Sequence, residues 1–425
     1  MATSTTTNVY LEQRAAGVTA LLDSLSTVLR TGRAADLAAL LDPSATAEFR
    51  ASLQTVQDNL SAAAYTPDAQ TQRRGTRLQL KDFRYQLAPT EEAETLVSAD
   101  VAARLNEQGS TDTWVAPVQI RAALGGETLP GVDEKDVLLN TQLVAARYED
   151  SWKLVGDASL VGEPVPPAQL WDRAGLAATD VATSGGTSVI ASYPEGADVV
   201  DRVRKLLPGA VNSVSAFWGR DWAQRAVVVA TSTDEQFQAL AGSATDTAAA
   251  ATVYATDDPA THTVTGQRVI LTPAAREIPE PALGVVLRHE LTHVATRAQT
   301  TSSAPMWLTE GVAEYVGRKG TYTRPSDAAP DLAAAVRAGQ APTDVPTSEQ
   351  FALTSDASRL AYQSAWSVAA YVASTFGEST LKTLYIRLGA GGDTARQDAE
   401  IMSALSITRV QLVQRWRAWL IKELQ

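Results

Sequence analysis

From Tyr10 to about Ala64 the apolar positions fall at helical spacing, with Val18, Leu21, Leu22, Leu25, Val28 and Leu29 forming one stripe. Further helices are predicted around Leu37–Leu41 and from Ala45 to Leu60. After Arg73-Arg74-Gly75 the period drops to two. Leu78 and Leu80 alternate, and Phe83, Tyr85 and Leu87 continue one step out of phase, which predicts a bulge near Lys81-Asp82. Strands are predicted over Thr95–Arg104, Thr113–Leu124, Asp136–Tyr148 and Ser151–Val155, with Trp152 anchoring the last hairpin through the turn Glu149-Asp150. Helices followed by a run of long strands make an α+β domain.

Gly162-Glu163-Pro164-Val165-Pro166-Pro167 is stiff and unable to pair in a sheet, so it marks a domain boundary. Trp171 to Thr187 reads as a loop or docking segment closed by Ser184-Gly185-Gly186. The expected division is a linker over 1–9, an α+β domain over 10–162, a linker over 163–186 and a second domain over 187–425. In that second part, strands are predicted at Val189–Ala191, Ala226–Ala230, Ala250–Ala255 and Arg268–Leu271, with helices at Gly196–Trp218 and Asp234–Leu240. From there the pattern is helical: Pro281–Arg297, a helix between Pro305 and Gly320, Asp331–Ala338, Leu360–Phe376, Leu381–Leu388 and Val410–Leu424. Pro325–Pro346 reads as a surface lid or a connector.

A chain of 425 residues suits two domains. A net charge of -12 and a pI near 4.9 argue against a nucleic-acid partner. The absence of Cys removes disulfides, thiol nucleophiles and Cys-based zinc sites together. No stretch approaches the ~20 apolar residues of a membrane span. Met1 to Asn8 lacks the charged and apolar regions of a signal peptide.

The candidate chemistry sits in the helix Pro281–Arg297, which contains Arg288-His289-Glu290-Leu291-Thr292-His293. His289 and His293 are one helical turn apart and point the same way, so they can share one Zn²⁺. Glu290 stands beside them, placed to hold an attacking water. A catalytic zinc needs a third protein ligand and an open position. Pro305-Met306-Trp307-Leu308-Thr309-Glu310-Gly311-Val312-Ala313-Glu314-Tyr315-Val316 follows, with Glu310 and Glu314 on one helix face. Like charges at that spacing cost about 0.2–0.5 kcal/mol on an isolated helix, so the pair calls for a cation or a donor. Glu310 is then the third zinc ligand and Glu314 the acceptor for the free N–H of a ligating His. The competing reading is a solvated acidic helix face. His262 is the one His outside the motif and reads as an exposed hairpin residue, with substrate contact as the alternative.

His-Glu-Leu-Thr-His followed by Trp-Leu-Thr-Glu-Gly-Val-Ala-Glu-Tyr resembles the gluzincin metallopeptidases, most of all the bacterial "peptidase MA-like" group. The metzincin pattern fails, because it wants Gly at Thr296 and His at Gln299. The gluzincin resemblance implies a zincin domain (small mixed sheet, active-site helix, helical C-terminal lobe) in which His289, His293 and Glu310 hold Zn²⁺. It implies Glu290 as general base and Glu314 as the supporting carboxylate. Related aminopeptidases carry a Tyr whose phenol stabilises the oxyanion, which makes Tyr362 the candidate electrophile. Ser364 departs from that context, where those enzymes have Lys, and Tyr362 as a core aromatic near Trp366 is the other reading. Nothing matches the Gly-x-Met-x-Asn loop that holds a free amine, so the expectation is an endopeptidase or narrow-specificity peptidase acting on peptide or protein substrates. A catalytically silent zincin-fold binding or assembly protein of the cell surface is the alternative. Residues 10–162 resemble the NTF2-like fold, a helical cap on a curved antiparallel sheet, with no signature motif. Many such peptidases of actinobacteria, whose Ala- and Arg-rich style this chain shares, are exported or tethered. The chain is therefore expected to be an extracytoplasmic ectodomain behind a membrane anchor, with Ala2 to Thr7 as its linker.

Overall fold

The computed structural model describes residues 9–61, 78–89, 95–125, 134–242, 249–258, 261–352 and 356–424. The expected linker at the N-terminus, apart from its last residue, and the Arg73-Arg74-Gly75 break lie outside them. The chain divides into two compact units, one of residues 1–179 with 191–194 and one of residues 180–190 with 195–425. The proline-rich stretch 162–167 lies within the first unit.

The first unit opens with α1 (Val9–Thr31), α2 (Ala34–Ala38) and α3 (Ala47–Leu60). The predicted α1 stripe is buried except for Val28, which is half-buried, and Leu22, Leu25 and Leu29 are completely so. Thr46 caps α3 by accepting the N–H of Phe49. The second helix comes earlier than the Leu37–Leu41 pattern implied, because Leu41 leaves the helix to bridge Leu154. Four antiparallel strands follow in the order β1-β2-β3-β4: Leu80–Leu87, Asp112–Leu124, Val137–Tyr148 and Ser151–Asp157. The register of β1 slips between Leu80 and Asp82, where the phase change in the sequence predicts a bulge. The residues Thr95–Arg104, expected as a strand, instead lead into helix α4 (Ala99–Glu107). Ser98 accepts the N–H of Val101 and starts the helix, and Val101 and Leu105 bury one turn apart. Trp152 on β4 packs into the space left by Gly17 on α1, where a Cβ would lie 2.3 Å from its Nε1. Helices α1–α3 and the inner sheet face share one core that includes Phe83, Tyr85, Leu143 and Leu154.

A five-stranded sheet in the order β5-β6-β7-β11-β8 has most of its residues in the second unit. Its strands are β5 (Ala177–Thr183), β6 (Gly186–Ser192), β7 (Val227–Ala230), β8 (Ala250–Val253) and β11 (Arg268–Leu271). β11 runs parallel to β7 and antiparallel to β8, which forms one edge. Between β8 and β11 a small hairpin, β9 (Thr256–Asp258) with β10 (Thr263–Thr265), interrupts the strand expected to reach Ala255. The segment read as a loop, Trp171 to Thr187, contains β5, whose small and Thr-rich sequence carries little apolar signal. Helices α5 (Ala197–Trp218) and α6 (Asp234–Ala241) accompany the sheet.

Then comes the helical part: α7 (Glu280–Thr296), α8 (Met306–Arg318), α9 (Pro325–Ala328), α10 (Pro330–Arg337) and α11 (Ser348–Phe351). It ends with α12 (Asp356–Phe376), α13 (Glu378–Gly389), α14 (Thr394–Leu405) and α15 (Arg409–Leu424). Sequence periodicity leaves α14 unpredicted, since it buries only Ile401 and Leu405 fully. Leu283, Leu287 and Leu291 of α7 join Val269 and Leu271 of β11 and Val312 of α8 in one core. No helix among the described residues is long and apolar enough to cross a membrane.

Candidate metal centre

Helix α7 begins just after Pro279, with Pro281 in its first turn, where a missing N–H costs nothing. Its leucine stripe is wholly buried, which leaves His289 and His293 on the opposite side, partly exposed, with their rings 4.8 Å apart. Their Nε2 atoms lie 3.1 Å apart. Helix α8 crosses next to α7 and brings in Glu310, whose Oε2 is 3.3 Å from His289 Nε2 and 3.4 Å from His293 Nε2. These three donors form a nearly equilateral triangle. A tetrahedral ion with bonds of ~2.0–2.1 Å separates its ligands by about 3.3 Å. The donor set therefore fits zinc in chemistry and in spacing.

On its other side His289 presents Nδ1 to Glu314 Oε1 at 3.4 Å. The second oxygen of Glu314 takes a hydrogen bond from Arg318 Nε, and Arg318 also donates to the carbonyl of Ala328. Burial alone would push the Glu314 carboxyl up, but Arg318 and His289 hold it down at about 2. Glu310 is likewise held well below the usual carboxylate range, because the two imidazoles outweigh its burial. Burial opposes a proton on His289, yet the hydrogen bonds to Glu310 and Glu314 raise its pKa well above the ordinary imidazole value.

Glu290 is buried beside the leucine stripe, with the hydroxyl of Thr252 on β8 donating to its Oε2 at 2.6 Å. Tyr362 on α12 reaches the same place, its ring 6.4 Å from that of His289 and edge-on to Phe351 at 5.1 Å. Burial, then the charges of Glu310, Glu314 and Glu290, raise the phenol's pKa, so it stays a neutral donor. His289, Glu290, Glu314 and Tyr362 line one cavity of about 330 Å³. The structure thus brings together every residue singled out as zinc-binding or catalytic from the sequence, with His262 set apart. His262 sits at φ 50° in the β9–β10 hairpin, and its Nδ1 lies 2.8 Å from the Ala298 carbonyl, tying the hairpin to the segment after α7. Arg297 adds a second tie, to Asp257 at 2.6 Å and over the ring of Tyr254.

Sequence reasoning missed Thr252, Phe351 and Arg318. Arg318 was within reach, being four residues after Glu314 on one helix face. Nothing local marks Thr252 or Phe351, which meet the site only through tertiary packing.

No protein-family model matches the chain, and no curated protein matches it. Among solved structures it is similar to an M1 zinc metallopeptidase from Deinococcus radiodurans, with 14% identity and a TM-score of 0.33, over 64% of this chain and 58% of that one. A mutant M1 zinc metallopeptidase from the same organism, bound to a Tyr-Ser-Ala substrate, aligns at 12% identity and a TM-score of 0.34 over 80% and 71% of the two chains. The chain spans about 58% of the length of the first of these enzymes. Likeness at this level carries no argument about chemistry, which rests on the side chains.

Proposed function

We propose that this chain is a zinc-dependent peptidase of the gluzincin type, with an NTF2-like domain ahead of the zincin domain. The carrying observation is the triangle of His289 Nε2, His293 Nε2 and Glu310 Oε2, with sides of 3.1–3.4 Å, beside a buried Glu290. When bound, zinc supplies a Lewis acid and lowers the pKa of a coordinated water toward ~7. The chain's own residues do the rest. Glu314 accepts from His289 Nδ1–H, which directs Nε2 to the ion and fixes the ring. Glu290 takes the proton as water attacks a scissile carbonyl, then delivers it to the departing amine. Tyr362 offers its phenol proton to the developing oxyanion.

The cavity also bears on substrate. Ala282, Val285, Val286 and Phe351 give it apolar walls. The arginines on its lining are already paired, Arg318 with Glu314 and Arg359 with Asp331 and Asp356. A neutral, apolar side chain suits such a space. Nothing in the sequence matches the Gly-x-Met-x-Asn loop, which favours an endopeptidase or a narrow-specificity enzyme, and β8, Ala250-Ala251-Thr252-Val253, is an edge strand. An extended peptide could add along that edge.

The test is the zinc content of the purified protein beside a Glu310→Ala variant. One zinc per chain that falls sharply in the variant is the expected result. No zinc after reconstitution, or equal zinc in both proteins, would overturn the assignment.

A further inference from the structure

We infer that Thr252 is a positioning residue: its hydroxyl holds the Glu290 carboxylate in the orientation from which it accepts a proton. This rests on the peptidase reading of the same site. Thr252 lies opposite Val269 of β11, and Ala250 lies opposite Leu271. Residues two apart on a strand share a face. Val269 and Leu271 point into the core with Leu283, Leu287 and Leu291, so Thr252 is delivered to the α7 side of the sheet. There its Oγ1 lies 2.6 Å from Glu290 Oε2 and 3.1 Å from the Glu290 carbonyl oxygen. A hydroxyl has one proton, and the short contact to the carboxylate takes it.

Two features make this more than a satisfied buried polar group. Thr252 is the hydrogen-bond partner of the Glu290 carboxylate among the described residues. With Oε2 engaged, Oε1 is left as the oxygen that receives the proton. Furthermore, the hydroxyl comes from the edge strand, not from α7 itself. A peptide laid along β8 is therefore held in register with the base through the same strand. A glutamate side chain has three rotatable bonds, and the Thr252 hydroxyl narrows the orientations open to its carboxylate.

The experiment compares the zinc-loaded full chain with Thr252→Val, which keeps the shape and removes the hydroxyl, and with Thr252→Ser, which restores it. Steady-state kinetics on a cleaved peptide are read beside crystal structures, zinc content and melting temperature. The valine variant is expected to lose about tenfold to a hundredfold in kcat, the range for residues that orient catalytic groups from behind. KM should stay within about twofold, because substrate binding is untouched. The serine variant should return most of kcat, and the crystal structure of the valine variant should show the Glu290 carboxylate turned from its wild-type position. Unchanged kcat in the valine variant, or a Glu290 that keeps its orientation without the hydroxyl, would overturn the inference. If the wild type cleaves no peptide, the peptidase reading fails separately, and the position of Glu290 in the crystal structures still decides whether Thr252 orients it.

Discussion

Gly311→Ala should loosen the metal centre without touching a ligand. Gly311 follows Glu310 on α8 and lies where α8 crosses α12. A Cβ built there would lie 2.5 Å from the carbonyl oxygen of Ala365 and 2.9 Å from its carbonyl carbon. A carbon rests no nearer than about 3.3 Å to a carbonyl oxygen, so the two helices must part by roughly 0.8 Å. Neither atom can swing aside, since both belong to the α12 backbone. Alanine favours the helix by about 0.5–1 kcal/mol, whereas overpacking costs about 1–3 kcal/mol, for a net loss near 1 kcal/mol. The larger effect is on the triangle. Glu310 Oε2 stands 3.3 and 3.4 Å from the two imidazole nitrogens, and a displacement of that size spoils both separations. Zinc affinity, measured by competition with a chromophoric chelator, should fall by about tenfold or more, as it does when metal ligands lose their support. Gly209→Ala in α5 is the control, because a Cβ there meets nothing within 4 Å. That variant should gain about 0.5–1 kcal/mol and bind zinc normally. If Gly311→Ala is as stable as the control and keeps wild-type zinc affinity, close approach of α8 and α12 does not position Glu310.

Glu290→Gln should retain zinc and lose turnover; residual hydrolysis within about tenfold of wild type would refute its role as base. Glu378 at the start of α13 accepts from Tyr315 on α8 at 2.6 Å and pairs with Lys319, the residue that ends α8 as its cap. Burial pushes its pKa up, but Lys319 and Tyr315 outweigh it and hold the carboxyl below its ordinary value. A depressed carboxylate adds stability that is present above the unfolded value of about 4.3 and is lost as pH falls through the folded value. Glu378→Gln should therefore lower the unfolding free energy measured in urea at pH 7, by at most about 1 kcal/mol for so exposed a pair, and match wild type at a low pH where Glu378 is protonated in the folded protein. An equal deficit at both pH values would show that the charge is not what matters.

The site was legible because its signals are local. Two histidines one turn apart, and two glutamates one turn apart on the next helix, state which faces must meet once both segments are recognised as helices. The long strands Asp112–Leu124 and Val137–Tyr148 were legible for the same reason, their alternation running through many residues. The region around Ser98 shows how local signals compete. Thr95, Leu96 and Val97 have the composition of a strand, and they outweighed the cap at Ser98, the acid Asp100 and the spacing of Val101 and Leu105. The strand Ala177–Thr183 lacks a run of apolar residues, so its pairing in the sheet left no mark in its sequence. Thr252 is the extreme case: a threonine in a short strand is unremarkable until β8 is set against α7.

Charge explains why a third carboxylate and an arginine accompany the ligands. With neutral imidazoles, Glu290, Glu310 and Glu314 set against Arg318 leave two negative charges uncompensated in a largely buried place. In the metal-free chain the imidazole of His289 answers this, binding a proton more tightly than its burial would allow. A divalent ion answers it in full, from the point where the three donors converge. Arg318 sets the sum: without it the site would stay negative after the ion bound, and an ion surrounded by excess negative charge polarises a carbonyl less. Arg318 also occupies the second oxygen of Glu314, which keeps that carboxylate on Nδ1 of His289 and out of the ligand set. The like-charged pair on α8, a small liability in an isolated helix, thus becomes two different carboxylates, one facing the ion and one facing the arginine.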